Sequence, residues 1–245
     1  MLKSSPSTHD FHMPGPPWVA KLFQPIHWLF IRCFFQLSVK GVENIPRTGP
    51  VLLVPTHRSR WDPILLPALT NRMMRFMASH DEFVGSQGFF MKLFGAFPVN
   101  TYRPSPSTLK ACVSLLKSGQ ILVIFPEVTS FYYPPDQVHL LRSGVAWLAL
   151  KVQKDLPPET PLTIVPVRIR YSVIRPKFQD HAELEAYPAI DISPYLDRPD
   201  KQAIADLTNA IQSAMGTVNT STEEMLKPFA ELGPGVQKRS YGRVG

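Results

Sequence analysis

Seven histidines are spread along the chain, and the position of one of them invites chemistry. His57 follows the apolar run Val51-Leu52-Leu53-Val54 and precedes Asp62-Pro63. That dipeptide reads as a helix start, with Asp as the N-cap and Pro at the first helical position. A histidine there stands at the mouth of a buried strand, where ligands bind in open α/β sheets. Asp62 closes the segment His-Arg-Ser-Arg-Trp-Asp. Across a tight strand-to-helix turn its carboxylate can fold back onto the imidazole and accept the Nδ1–H. That contact fixes the tautomer and raises the basicity of Nε2. The pair is then a general base for a hydroxyl group. A plainer role for Asp62, capping the helix, is compatible with it.

A second polar group sits at the end of another apolar run. Ile121-Leu122-Val123-Ile124-Phe125 is followed by Pro126-Glu127-Val128-Thr129-Ser130. Glu127 and Thr129 lie where the chain leaves the sheet, placed to grip substrate hydroxyls or to brace the first loop, although a plain polar turn also accounts for them. Two strand-end loops with complementary chemistry point to one shared site. The chain lacks a G-x-S-x-G elbow, which counts against an α/β hydrolase. Its cysteines and histidines show no ligand spacing, so no metal is expected.

The elements that must hold these loops alternate. Val51–Val54, Phe76–Ala78, Ile121–Phe125 and Leu162–Ile169 read as strands. Between them, residues 64–77 read as a helix kinked at Pro67, overlapping the strand over Phe76–Ala78, and 88–94 as a short apolar helix. A helix over 109–118 is capped by Ser107 or Thr108 and stopped by Gly119. Gly144–Val152 is a buried helix, and Ile204, Leu207, Ile211, Met215 and Val218 mark an amphipathic one over about 201–218. Strands separated by helices predict an α/β fold with a mainly parallel central sheet flanked by helices. Residues 1–17 are polar and proline-rich and read as a flexible lead; 221–245 read as a polar, disordered tail. Residues 18–40 are rich in aromatics, but Lys21, Gln24, Pro25, His27, Arg32 and Gln36 interrupt the apolar run. They read as one or two interfacial membrane-binding helices broken near Pro25, or else as an ordinary core helix.

Of 245 residues, 44% are hydrophobic and 18% charged, which is ample apolar material for a core and excludes disorder along the whole chain. The net charge of +7 favours anionic partners such as acidic lipid surfaces or an acidic carrier protein. It is dispersed, with no run of five like charges, so no nucleic-acid partner is expected. Cys33 and Cys112 lie in apolar contexts that argue against a disulfide framework. The segment MLKSSPSTHD has no basic region followed by an apolar core, so no secretory signal is read.

Taken in order, five blocks resemble the glycerolipid acyltransferase superfamily, which contains the lysophosphatidate acyltransferases and tafazzin. GVENIPRTGPVLLVPTHRSRWDP is similar to its first block, with His57 and Asp62 as the H-x4-D pair. GAFPVN at 95–100 is similar to the second, FPEVTS at 125–130 to the third, and TIVPVRIRY at 163–171 to the fourth. LLRSGVAWLAL, from 140, is similar to the segment that follows the third block. The resemblance implies an acyltransferase domain over 41–220. It implies transfer of a fatty acyl group from acyl-CoA or acyl-carrier protein to a hydroxyl of a lysophospholipid, 1-acyl-glycerol-3-phosphate or a related acceptor, in phospholipid biosynthesis or remodelling. His57 would be the base and Asp62 its partner, with no separate cofactor. Membrane lipids would be partners of a peripheral or monotopic protein on the cytoplasmic face. The departures fall on the phosphate clamp. Val128 and Ser130 stand where the family has Gly and Arg, Asn100-Thr101 where it has Asp-Arg, and Thr56 where Asn is usual. Arg58, Arg60, Arg103 and Arg142 are the cations placed to compensate. Those departures also admit an acyltransferase for an acceptor without phosphate, or a catalytically weak member acting as a membrane lipid-binding protein.

Overall fold

A computed structural model of the chain describes residues 17–100, 104–127 and 138–216, with only the backbone of 17–23 and Ser86. The expected lead, up to residue 16, and the expected tail therefore lie outside the described residues. Seven strands form one sheet: β1 (Gln36–Lys40), β2 (Val51–Pro55), β3 (Met74–Ser79), β4 (Ala96–Val99), β5 (Ile121–Val123), β6 (Thr163–Tyr171) and β7 (His181–Ala186). Their order is β1-β7-β6-β2-β5-β3-β4. Every pairing is parallel except β6 with β7. The helices are α1 (Pro17–Phe34), α2 (Asp62–Leu65), α3 (Gly85–Leu93), α4 (Pro106–Lys117), α5 (Gly144–Lys154) and α6 (Asp200–Met215).

β2 is at the centre, and its apolar run is continuous because both faces are covered. Leu52 and Val54 pack with Leu116, Leu148 and Leu207 from α4, α5 and α6. Val51 and Leu53 point the other way, to Ile31 and Phe35 at the end of α1 and to Leu65 and Leu66. Burial of each such side chain stabilises the domain by about 1.5–3 kcal/mol.

Local chemistry sets the boundaries. Ser105 caps α4 by accepting from the Thr108 amide at 3.1 Å, so the cap is two residues earlier than Ser107. Gly119, at φ 72°, ends it as expected. The helix expected over 64–77 stops early: after α2 the chain tightens into a 3-10 turn over Leu66–Leu69 and then enters β3. Pro67 has no amide to continue the α-helical ladder, and Leu65, Leu66 and Leu69 are buried by the tighter turn.

Residues 18–40 also differ from expectation. α1 runs unbroken through Pro25, and Gln36–Lys40 is a strand that pairs in parallel with His181–Glu185. α1 is anchored at its C-terminal end, where Ile31 and Phe35 are buried, so losing one hydrogen bond at Pro25 does not divide it. β4 carries Pro98 and is an edge strand, where a missing amide is tolerated. Gly41, at φ 70°, joins β1 to the next turn; a Cβ there would collide with the Ala186 carbonyl oxygen.

Candidate active site

β2 delivers His57 to the C-terminal edge of the sheet. The last residue before it, Thr56, extends the ladder with its side chain as well as its backbone. Its amide donates to the Val167 carbonyl at 3.0 Å, and its hydroxyl accepts from the Ile169 amide at 2.9 Å. The strand end is thus pinned to β6 before the chain turns.

The turn folds Asp62 back under His57. Imidazole Nδ1 lies 2.9 Å from Asp62 Oδ2; a carboxylate there accepts, so Nδ1 carries the proton and Nε2 is the basic nitrogen. The same Oδ2 accepts from the backbone amides of Arg58 at 2.6 Å and Ser59 at 2.8 Å. Tyr171 donates its hydroxyl to the opposite oxygen, Oδ1, at 2.7 Å. Asp62 is 0% exposed, and these four contacts satisfy the carboxyl group that burial has taken from water. Its side chain bonds the preceding loop and makes no cap on the helix, where it is the first residue and Trp61 the cap position. The capping role is therefore corrected: the loop amides lie nearer to the carboxylate than those of the helix. Burial, then the neighbouring Asp62, holds the Tyr171 phenol well above its ordinary pKa, so it stays a donor.

His57 is 23% exposed. Its ring stacks on Phe125 at 4.1 Å between centroids and 23° between planes. Phe125 comes from the loop after β5, whose Ile124 amide bonds the Leu53 carbonyl of β2 at 3.1 Å. The two strand-end loops are therefore adjacent. Glu127 forms an isolated antiparallel bridge with Leu141, and the Arg142 amide donates to the Pro126 carbonyl at 2.9 Å. That brings Glu127 and Arg142 beside each other in the second loop. Leu141 is held from behind by α6, its amide donating to Gln212 at 3.0 Å.

The arginines part company. Arg58 is buried, and its charge reaches His139. His139 is itself buried, and burial first and Arg58 second push its pKa down to about 4. Arg60 is exposed and lies 3.4 Å from Glu82. Thr129 and Arg103 lie outside the described residues. Among the described residues, no group of three His, Cys, Asp or Glu side chains could hold a metal ion.

Sequence reasoning missed Tyr171, Phe125 and His139. Tyr171 had a signal: Val167, Ile169 and Tyr171 alternate on one face of β6, and a phenol at the end of a buried face needs a partner.

A mostly parallel sheet with a carboxylate-held imidazole at a central strand end defines an α/β protein with a histidine–aspartate pair at the C-terminal edge of its sheet. The Acyltransferase family profile matches residues 36–170, which span His57, Asp62, Phe125, Glu127 and Arg142. The chain belongs to that family. A 1-acyl-sn-glycerol-3-phosphate acyltransferase of Bacillus subtilis is 33% identical over 114 residues, covering 44% of this chain and 54% of that protein. The enzyme of the same name from Streptococcus pneumoniae is 25% identical over 188 residues, covering 75% and 66%. The chloroplastic one of Arabidopsis thaliana is 30% identical over 133 residues, covering 53% and 35%. The matches thus span from about a third to two thirds of the relatives' own lengths. The crystal structure of PlsC from Thermotoga maritima, a 1-acyl-sn-glycerophosphate acyltransferase, superposes with a TM-score of 0.53 at 17% identity, over 81% of this chain and 77% of that one. It shares the fold.

Proposed function

We propose that the protein is a membrane-surface O-acyltransferase that moves a fatty acyl group from a thioester, acyl-CoA or acyl-carrier protein, to a hydroxyl of a lysophospholipid. The carrying observation is the pairing of a partly exposed imidazole with a fully buried, fourfold hydrogen-bonded carboxylate at the end of β2. Nε2 of His57 takes the acceptor's hydroxyl proton as its oxygen attacks the thioester carbonyl. The C–O bond forms, the tetrahedral adduct collapses, the C–S bond breaks, and the thiolate leaves with the proton from the imidazolium. Asp62 holds the ring in the tautomer that does this and stabilises its charge. No serine intermediate and no cofactor is needed.

The names of the relatives support 1-acyl-glycerol-3-phosphate as acceptor. Ser130 and Thr101, standing where the family places arginines, favour a second reading in which the acceptor carries no phosphate. Membrane association, on the cytoplasmic face, would run through α1, with Ile26, Trp28, Leu29 and Phe30 exposed on it.

The test is acyl transfer by purified protein to lysolipids with and without phosphate, side by side. The expected result is turnover that falls 10²–10⁴-fold in His57→Ala. Full turnover by that variant removes His57 from the mechanism. Vesicle binding without transfer to any acceptor makes the chain a lipid-binding member of the family.

A further inference from the structure

The reading above gives α1 alone to the membrane. The structure carries a second apolar helix beside it. α3 exposes Phe89 at 65% and Phe90 at 54%, their rings 5.7 Å apart. Phe94, just past its end, is exposed as well and meets His27 of α1 with ring centroids 5.7 Å apart. On α1, Ile26 and Leu29 are 65% and 63% exposed. The exposed apolar residues of the two helices thus flank one junction, and bare aromatics clustered on two neighbouring helices mark an interaction surface.

We infer that α1 and α3 together form one lipid-facing platform that docks on an anionic bilayer surface, with α3 contributing as much as α1. This rests on the membrane association proposed above. Charge identifies the occupant. Neither helix contains an Asp or Glu, while α1 carries Lys21 and Arg32 and α3 carries Lys92. Arg32 lies over the Trp28 ring at 4.1 Å, so a cation and an aromatic share one spot on the face, as suits the headgroup region. Acidic Asp81 and Glu82 precede α3, and Glu82 is engaged by Arg60. Among the described residues no helix is long and apolar enough to cross a membrane, so insertion is shallow.

Both helices reach the loop that carries the base pair. Phe34, the last residue of α1, packs its ring 4.7 Å from Trp61, next to Asp62. Ahead of α3, Glu82 binds Arg60 from the same loop and accepts from Gln87 within α3 at 3.1 Å. A platform fastened to the loop on two sides sets the catalytic pair at a fixed height above the lipid, where a lysolipid hydroxyl needs to travel only a short way.

The experiment is flotation of the full chain with vesicles of phosphatidylcholine and phosphatidylglycerol. It compares the unaltered protein with Phe89→Ser/Phe90→Ser and with Trp28→Ser/Leu29→Ser. Both α3 positions are mostly solvent-exposed, and an unchanged melting temperature checks that the variant is folded. Each pair is expected to weaken partitioning by about tenfold or more, and binding of the unaltered chain is expected to fall without phosphatidylglycerol and at high salt. If the α1 pair detaches the protein while the α3 pair leaves it bound, the platform is overturned and membrane association through α1 stands. If the unaltered chain does not float, membrane association itself fails. If the α3 pair leaves flotation intact but abolishes a dimer in sedimentation, the face belongs to a second copy and the lipid platform is overturned.

Discussion

Tyr171 and Asp62, 109 residues apart in sequence, meet at 2.7 Å, with the phenol on the carboxylate oxygen that His57 does not use. Tyr171 is the last residue of β6 and Asp62 the first of α2, so the bond ties the base pair's loop to the strand beside β2. Tyr171→Phe keeps the ring and removes one donor from a buried acceptor. A stability loss of about 1–3 kcal/mol is expected in urea unfolding. Transfer should slow through kcat with KM unchanged, because Tyr171 acts through Asp62 and not on substrate. Unaltered stability would show that water or another group replaces the phenol.

Asp62→Asn tests the charge behind the imidazole. The loop amides of Arg58 and Ser59 share Oδ2 with His57 and hold the amide oxygen in that place, while the amide nitrogen turns to the Tyr171 hydroxyl oxygen. Nδ1 keeps its acceptor and the fold should survive, but the negative charge that stabilises the imidazolium is gone. The expected loss in kcat is of the same order as for His57→Ala, about 10²–10⁴-fold. The double variant should lose little more than either single one. Additive losses would mean that the two residues act separately.

The His57–Asp62 pair was legible in the sequence because it is local: five residues span one turn, and the buried runs before it and after it mark β2 and α2. β2 and β5 were legible for a related reason, since strands covered on both faces are apolar without interruption. Tyr171 was not, because nothing near it in sequence shows that β6 lies beside β2. β1 and β7 failed differently. His181–Ala186 reads His-Ala-Glu-Leu-Glu-Ala, a composition that favours helix, and only its pairing with β1 and β6 makes it a strand. Asp62 looked like a cap because Asp-Pro starts helices; the amides that it accepts from belong to the loop before it.

Arg72 makes a prediction about the opposite end of the sheet. Its guanidinium donates to the carbonyls of Pro46 at 2.7 Å, Gly49 at 2.6 Å and Gly119 at 2.7 Å. It thereby joins the turn entering β2 to the turn between α4 and β5, and burial lowers its pKa. Arg72→Met removes three charge-assisted bonds from carbonyls that are then short of a donor. A loss of about 2–4 kcal/mol is expected in urea unfolding. Transfer well below the melting temperature should be unchanged, since His57 lies at the other end of β2. A drop in kcat as large as that of Tyr171→Phe would show that the two ends are coupled.

His139 gives a pH dependence with a definite sign. Its ordinary pKa of 6.5 is pushed down to about 4, by burial first and by the charge of Arg58 second. Between those two values the unfolded chain holds a proton on this ring that the native chain does not. Acid therefore favours the unfolded state: stability is intact above about pH 6.5 and is lost as pH falls towards 4, with no further loss from this group below that. The full span is on the order of 3 kcal/mol. His139→Gln cannot take up the proton, so its unfolding free energy should lack this part of the slope. Urea midpoints of both proteins at pH 7.5, 5.5 and 4.5 check it, with the difference between them shrinking or reversing as the pH falls. Parallel curves would mean that His139 accepts its proton in the folded state as readily as in water, and that the Arg58 charge does not reach it.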